Sequence, residues 1–164
     1  MKRIFLIGYM GAGKTTVGKV LSRQLELSFI DLDHYIEGRY HKTVGQLFAE
    51  KGEDAFRDIE RRMLREVAAF EDVLVSTGGG APCFFDNMEF MNGAGQTVYL
   101  KVSVEELAKR LELCKSTRPI LEGRSGDELR AFIAESLKKR EPFYSKASIV
   151  FDAEEMMTDQ DVYK

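Results

Sequence analysis

The stretch Gly8-Tyr9-Met10-Gly11-Ala12-Gly13-Lys14-Thr15 decides how the rest of the chain is read. It follows an apolar run at residues 4–7 and opens a helical pattern at residues 14–25. That is the strand–loop–helix setting in which the pattern G-x-x-x-x-G-K-[ST] cradles phosphate. The glycines let the backbone curl until successive N–H groups point inward at an anion. The first turn of the following helix adds its partial positive charge. Gly11, Ala12, Gly13 and Thr16 are thereby expected around a nucleotide phosphate. Lys14 is expected to reach the β- and γ-phosphates, and the Thr15 hydroxyl to ligate Mg²⁺.

Outward from this loop, short apolar runs alternate with helical patterns. Strands are expected at residues 28–31, 73–76, 97–101 and 148–151. Helices are expected at 34–40, from Thr43, at 53–70, from Ser103 and at 127–140. Thr43 with Gln46 and Ser103 with Glu106 have capping-box spacing. Alternation of this kind predicts an α/β fold of three layers, α/β/α, around a central five-stranded parallel sheet. Ligands then bind beyond the carboxyl ends of the strands.

At 164 residues the chain suits a single domain over 1–164. Its net charge of −3 gives no general attraction to nucleic acid or to an acidic membrane surface. Cys83 and Cys114 have no metal-type spacing and read as free thiols of a reducing compartment. No apolar run approaches membrane-spanning length. Lys14, Lys19 and three glycines interrupt what would otherwise resemble a signal peptide. A cytoplasmic protein, monomeric, is expected.

A phosphate loop serves switches, motors and small kinases alike. No N-K-x-D or D-x-x-G stretch is present, which argues against a GTPase. A small kinase needs an acceptor pocket, a metal-organising acid and a lid that excludes water. Asp31 and Asp33 close the second strand, where alternation would put both carboxylates on the same side. One suits waters on Mg²⁺, the other a substrate hydroxyl; a plainer reading makes Asp33 the N-cap of a helix from His34. Arg57 on the long helix flanks a core face, with Glu60 at i,i+3 to hold its guanidinium. It suits a substrate carboxylate. The run Gly78-Gly79-Gly80 at the end of a strand implies close approach to its backbone. Residues 114–126 read as a mobile lid, whose Arg118 suits a transferring phosphate. Arg140 closes a helix ahead of Pro142.

Taken in order, GYMGAGKTT, DLD, FRDIE, STGGGAP, RPIL and REPFY resemble the shikimate kinase family over roughly residues 3–151. The resemblance implies a nucleoside-monophosphate-kinase-like architecture and transfer of the γ-phosphate of ATP to the 3-hydroxyl of shikimate, toward aromatic amino acids. It implies ATP and Mg²⁺ as donor and metal, with a substrate-binding helical region at about 33–62. Lys14, Asp33 and Arg118 become the catalytic groups. Thr15 becomes a metal ligand, and Asp31 acts on the metal through water. Asp33, Arg57, Gly78, Gly79, Gly80 and Arg140 become the shikimate site. Arg110 packs against adenine and Arg118 lies on the phosphates. The acidic segment after residue 151 departs from the family, which often carries a proline or arginine there. Another small-metabolite kinase, such as one for gluconate, and a nucleotide-binding module without catalysis are the other readings.

Overall fold

The computed structural model describes the backbone of residues 3–9, 12–113 and 126–152, and the side chains of these residues outside 110–113, 126–127 and 152. In chain order the elements are β1 (Arg3–Ile7), α1 (Lys14–Leu25), β2 (Ser28–Asp31), α2 (Leu32–Tyr40) and α3 (Val44–Val67). There follow β3 (Val73–Ser76), a single 3-10 turn (Ala81–Cys83), α4 (Asn87–Ala94), β4 (Gln96–Lys101), α5 (Val104–Leu113), α6 (Gly126–Tyr144) and β5 (Ile149–Asp152). The five strands form one sheet in the order β2-β3-β1-β4-β5, and all neighbours are parallel. The expected α/β/α arrangement around a five-stranded parallel sheet is therefore the one found.

The central strand shows why both faces are covered. Alternate residues of β1 point to opposite faces. Ile4 and Leu6 enter a core with Val17, Val20, Leu107 and Ile133 from α1, α5 and α6. Phe5 and Ile7 enter a second core with Leu47, Ile59, Leu64 and Met91 from α3 and α4. A strand buried on both sides reads as an unbroken apolar run, as Ile4-Phe5-Leu6-Ile7 does.

The register brings the functional ends together. Ser76 pairs with Leu6 on one side and with Asp31 on the other, so β1, β3 and β2 end side by side. From β1 the chain leaves toward β2 on one side of the sheet and later returns to β4 on the other side. Such a reversal opens the crevice in which ligands bind in open parallel sheets.

Several boundaries differ from the sequence expectation. The helix expected from Thr43 and the one expected at 53–70 are both present, joined end to end as α3 (Val44–Val67) across a kink at Gly52, whose φ of 84° and ψ of 169° are non-helical, and the second ends at Val67 instead of residue 70. Gly52 alone absorbs the change of direction, in a region open only to glycine. Helix α2 begins at Leu32 instead of His34. Helix α6 does not stop at Pro142 but continues to Tyr144. A proline removes one hydrogen bond, and here the last turn is held by the fully buried Tyr144 and by Ser145 N–H donating to the Glu141 carbonyl at 2.8 Å. Helix α4 has no counterpart in the sequence reading. It is only 8 residues long and Asp86 makes no side-chain cap bond to it.

Candidate active site

The phosphate loop lies between β1 and α1. Gly13, left-handed at φ 98°, precedes α1, and no acidic residue occupies that helix's first turn. The positive end of the helix is thus left for an external anion. Lys14 Nζ donates to the Gly8 carbonyl at 2.6 Å, so its ammonium is folded back over the loop. Thr15 and Thr16 are exposed at the head of the helix. Met10 and Gly11 lie outside the described residues.

The two aspartates occupy different elements. Asp31 ends β2 and is the N-cap of α2, its Oδ1 accepting from His34 N–H at 3.2 Å. Asp33 lies in the first turn of α2, so the same-side strand argument does not describe the pair, and neither does Asp33 as cap. They remain neighbours. Burial pushes the Asp33 carboxyl above the usual range, the Asp31 charge adds to this, and Lys14 and Arg57 oppose it. Asp31 spends one oxygen on its cap bond, and a carboxylate has further acceptor capacity on the other. With the Thr15 hydroxyl this donor set fits Mg²⁺, which keeps several waters and takes few protein oxygens beside phosphates.

The glycine run at 78–80 has no positive φ, so backbone freedom does not account for it. Close approach does, and it comes from the protein's own side chains. A Cβ at Gly78 would lie 3.2 Å from Asp33 Oδ1 and 3.5 Å from Glu60 Oε2. A Cβ at Gly80 would lie 2.7 Å from Arg57 Nη2 and 3.0 Å from Nη1. Between them, the Gly79 carbonyl accepts from the Tyr144 hydroxyl. Three consecutive glycines thus receive groups from α2, α3 and α6.

Arg57 is held on several sides. Its Nη1 donates to Glu60 Oε1 at 2.9 Å, with side-chain exposures of only 13% and 2%. This is a buried pair, not a solvated one. Burial raises the Glu60 pKa, while the Arg57 charge and hydrogen bond pull it back. The guanidinium carbon lies 4.3 Å from the Phe84 ring centroid, 5.5 Å from Phe56 and 5.9 Å from Phe48. The Arg57 Nε is buried without a partner.

Arg140 comes from α6, one turn before Tyr144. Its guanidinium carbon lies 5.2 Å from the Tyr9 ring centroid, and its Nη1 is also buried without a partner. Tyr9 belongs to the phosphate loop, and its own hydroxyl is buried and unpartnered. The Arg140 charge acts on both Glu60 and Cys83, as that of Arg57 does. Cys83 is a half-buried free thiol whose pKa burial pushes up to about 11.

Of the residues singled out in the sequence, Lys14, Asp31, Asp33, Arg57, the three glycines and Arg140 are brought to one end of the sheet. Cys114, Arg118 and the expected lid as far as residue 125 lie outside the described residues, as does the side chain of Arg110, while residue 126 already belongs to α6. Sequence reasoning gave no role to Tyr9, Phe84 or Tyr144. The first and last lie inside quoted motifs, but their pairing with Arg140 and Gly79 joins positions far apart in the chain. Phe84 carried no signal beyond being aromatic.

The family model for shikimate kinase matches residues 10–164. The chain is 78% identical over 163 residues to a shikimate kinase of Parabacteroides distasonis, covering 99% of this chain and 94% of that one. The crystal structure of shikimate kinase from Bacteroides thetaiotaomicron superposes with a TM-score of 0.95 at 57% identity, over 99% of this chain and 92% of that chain. The solved structure of shikimate kinase from Acinetobacter baumannii in complex with shikimate gives a TM-score of 0.84 at 33% identity, over 99% of this chain and 91% of that chain. The phosphate loop, the buried acid–arginine cluster and these similarities agree: the chain belongs to the shikimate kinase family.

Proposed function

We propose that this chain transfers the γ-phosphate of ATP to the 3-hydroxyl of shikimate, with its described residues divided into a donor side and an acceptor side. The observation that carries the acceptor assignment is the pair of buried, unpartnered donors, Arg57 Nε and Arg140 Nη1. Buried polar atoms are nearly always paired. A carboxylate satisfies guanidinium donors with short, charge-assisted bonds. Glu60 takes one Nη1 of Arg57 and leaves its remaining donors for the ligand.

Asp33 supports the other end of the acceptor. Its carboxyl lies against the Gly78 backbone, within the fields of Lys14 and Arg57. There it accepts a hydrogen bond from the reacting hydroxyl, aims its oxygen at the γ-phosphate and receives its proton. A pKa raised by burial brings the base closer to neutral pH, where proton transfer is efficient. Holding a carboxylate at one end of a compact ring and a hydroxyl at the other selects one orientation and one hydroxyl. On the donor side, Lys14 exchanges its bond to the Gly8 carbonyl for phosphate oxygens. Thr15, and Asp31 through water, would hold Mg²⁺, which would supply charge neutralisation at the phosphates. Arg118 on the lid at about 114–126 completes that neutralisation and Arg110 packs on adenine.

The substrate-binding region spans about 33–62 within a single domain over 1–164. A cytoplasmic monomer without nucleic-acid or membrane partners is part of the same proposal. Among the described residues no helix is long and apolar enough to cross a membrane. ADP release measured with shikimate and with gluconate tests the assignment: stimulation by gluconate alone, or by neither acid, overturns it.

A further inference from the structure

Arg57 is fixed by Glu60 along one edge and by the absence of a Cβ at Gly80. The aromatic ring nearest to the guanidinium is that of Phe84, its centroid 4.3 Å from Cζ and closer than that of Phe56 or Phe48. Phe84 stands in extended backbone directly after the 3-10 turn that follows the glycines. It is also the first of three. Arg61 lies over Phe85 at 4.8 Å, and Arg65 over Phe90 at 4.5 Å. Arginines at i, i+4 and i+8 of α3 thus lie over consecutive aromatics of the segment 84–90. Arg65 also donates to Asp86 at 2.7 Å. The segment is docked along α3 at three points, and this docking holds Phe84 against Arg57.

We propose that Phe84 is a positioning residue for the acceptor carboxylate: its ring holds the Arg57 guanidinium plane in the orientation that receives the carboxylate, while touching neither ATP nor the reacting hydroxyl. The proposal rests on Arg57 as carboxylate partner. A planar guanidinium binds a carboxylate in its own plane, so a tilt weakens the acceptor without disturbing the phosphate loop.

The test compares steady-state kinetics of Phe84→Leu, Phe84→Tyr, Arg57→Lys and the Phe84→Leu/Arg57→Lys double variant, with Phe84→Met replacing Phe84→Leu if that protein does not fold. Loss of the stack is expected to raise the shikimate KM by about five- to thirtyfold. The ATP KM and kcat should stay within about twofold, and Phe84→Tyr should behave like the parent. Lysine keeps a charge for Glu60 but has no plane for a ring to set. In the Arg57→Lys background, Phe84→Leu should therefore add less than about twofold. An undiminished effect there, or an equal rise in both KM values, overturns the proposal and leaves Arg57 in place. If Arg57→Lys alone leaves the shikimate KM unchanged, the carboxylate reading of Arg57 fails first and separately.

Discussion

Gly80 and Arg57 occupy the same space: a Cβ on Gly80 would fall 2.7 Å from Nη2 of the guanidinium. Arg57 has little room to yield, since Glu60 and three phenylalanine rings surround it. Gly80→Ala should therefore displace the guanidinium while the fold survives. We expect the shikimate KM to rise at least about tenfold, the cost of tilting a charge-assisted pair. ATP affinity should change little. Isothermal titration with each ligand separates the two, and equal weakening of both would show that the floor of the pocket had moved as a whole.

Asp33 is expected to trade stability for activity. Its folded pKa is raised, first by burial and then by Asp31. Above the usual carboxylate range the unfolded chain releases this proton more readily than the folded one, so stability falls as pH rises through that window. Asp33→Asn removes the ionisation. The variant should melt higher than the parent at pH 7, and the gap should close as pH falls below the unfolded value of 3.8. Its kcat should drop by about a hundredfold or more. A near-normal kcat would remove Asp33 from the chemistry, and a pH-independent gap in melting temperature would assign the stabilisation to some other cause.

Tyr144 ties α6, which carries Arg140, to the middle glycine of the floor. Its hydroxyl donates to the Gly79 carbonyl, and its ring packs 5.0 Å from that of Tyr99. Tyr144→Phe keeps the ring and leaves a part-buried carbonyl without its partner. A loss of about 0.5–1.5 kcal/mol in unfolding free energy, the net worth of such a bond, follows, measurable by urea titration. An unchanged midpoint would mean that water takes the place of the hydroxyl.

Much of this site was legible because its signals are local. The phosphate loop is a fixed spacing, and β1 is an apolar run forced by burial on two faces. The glycines at 78–80 were visible as an anomaly, but their cause was not. Close approach is what the structure shows, and the approaching groups are the side chains of Asp33, Glu60 and Arg57. Periodicity could not reveal this, since those side chains arrive from helices that only the fold brings near. Asp31 and Asp33 were misread as one strand because the helix begins a residue after its cap, with no spacer to mark the change. The same holds for α6, where proline propensity was outweighed by burial of Tyr144.

The bend in α3 gives the last test, one that concerns shape alone. Gly52 has φ 84° and ψ 169°, and nothing lies within 4 Å of a Cβ built on it. Substitution meets no clash, so any cost is backbone strain, about 1–3 kcal/mol for that region. Gly38, in the interior of α2, also has open space around a Cβ but shows no positive φ. There alanine should stabilise by about 0.4–1 kcal/mol, by restricting the unfolded chain and favouring helix. Opposite signs for Gly52→Ala and Gly38→Ala in chemical denaturation are the expected result. The bend also brings Phe48 and Phe56 together across it, their centroids 5.3 Å apart and both facing Arg57. Gly52→Ala should consequently weaken shikimate as well as the fold, whereas Gly38→Ala should leave shikimate affinity alone. A strained Gly52→Ala protein with parental shikimate KM would show that the bend serves the packing of α3 and not the carboxylate site.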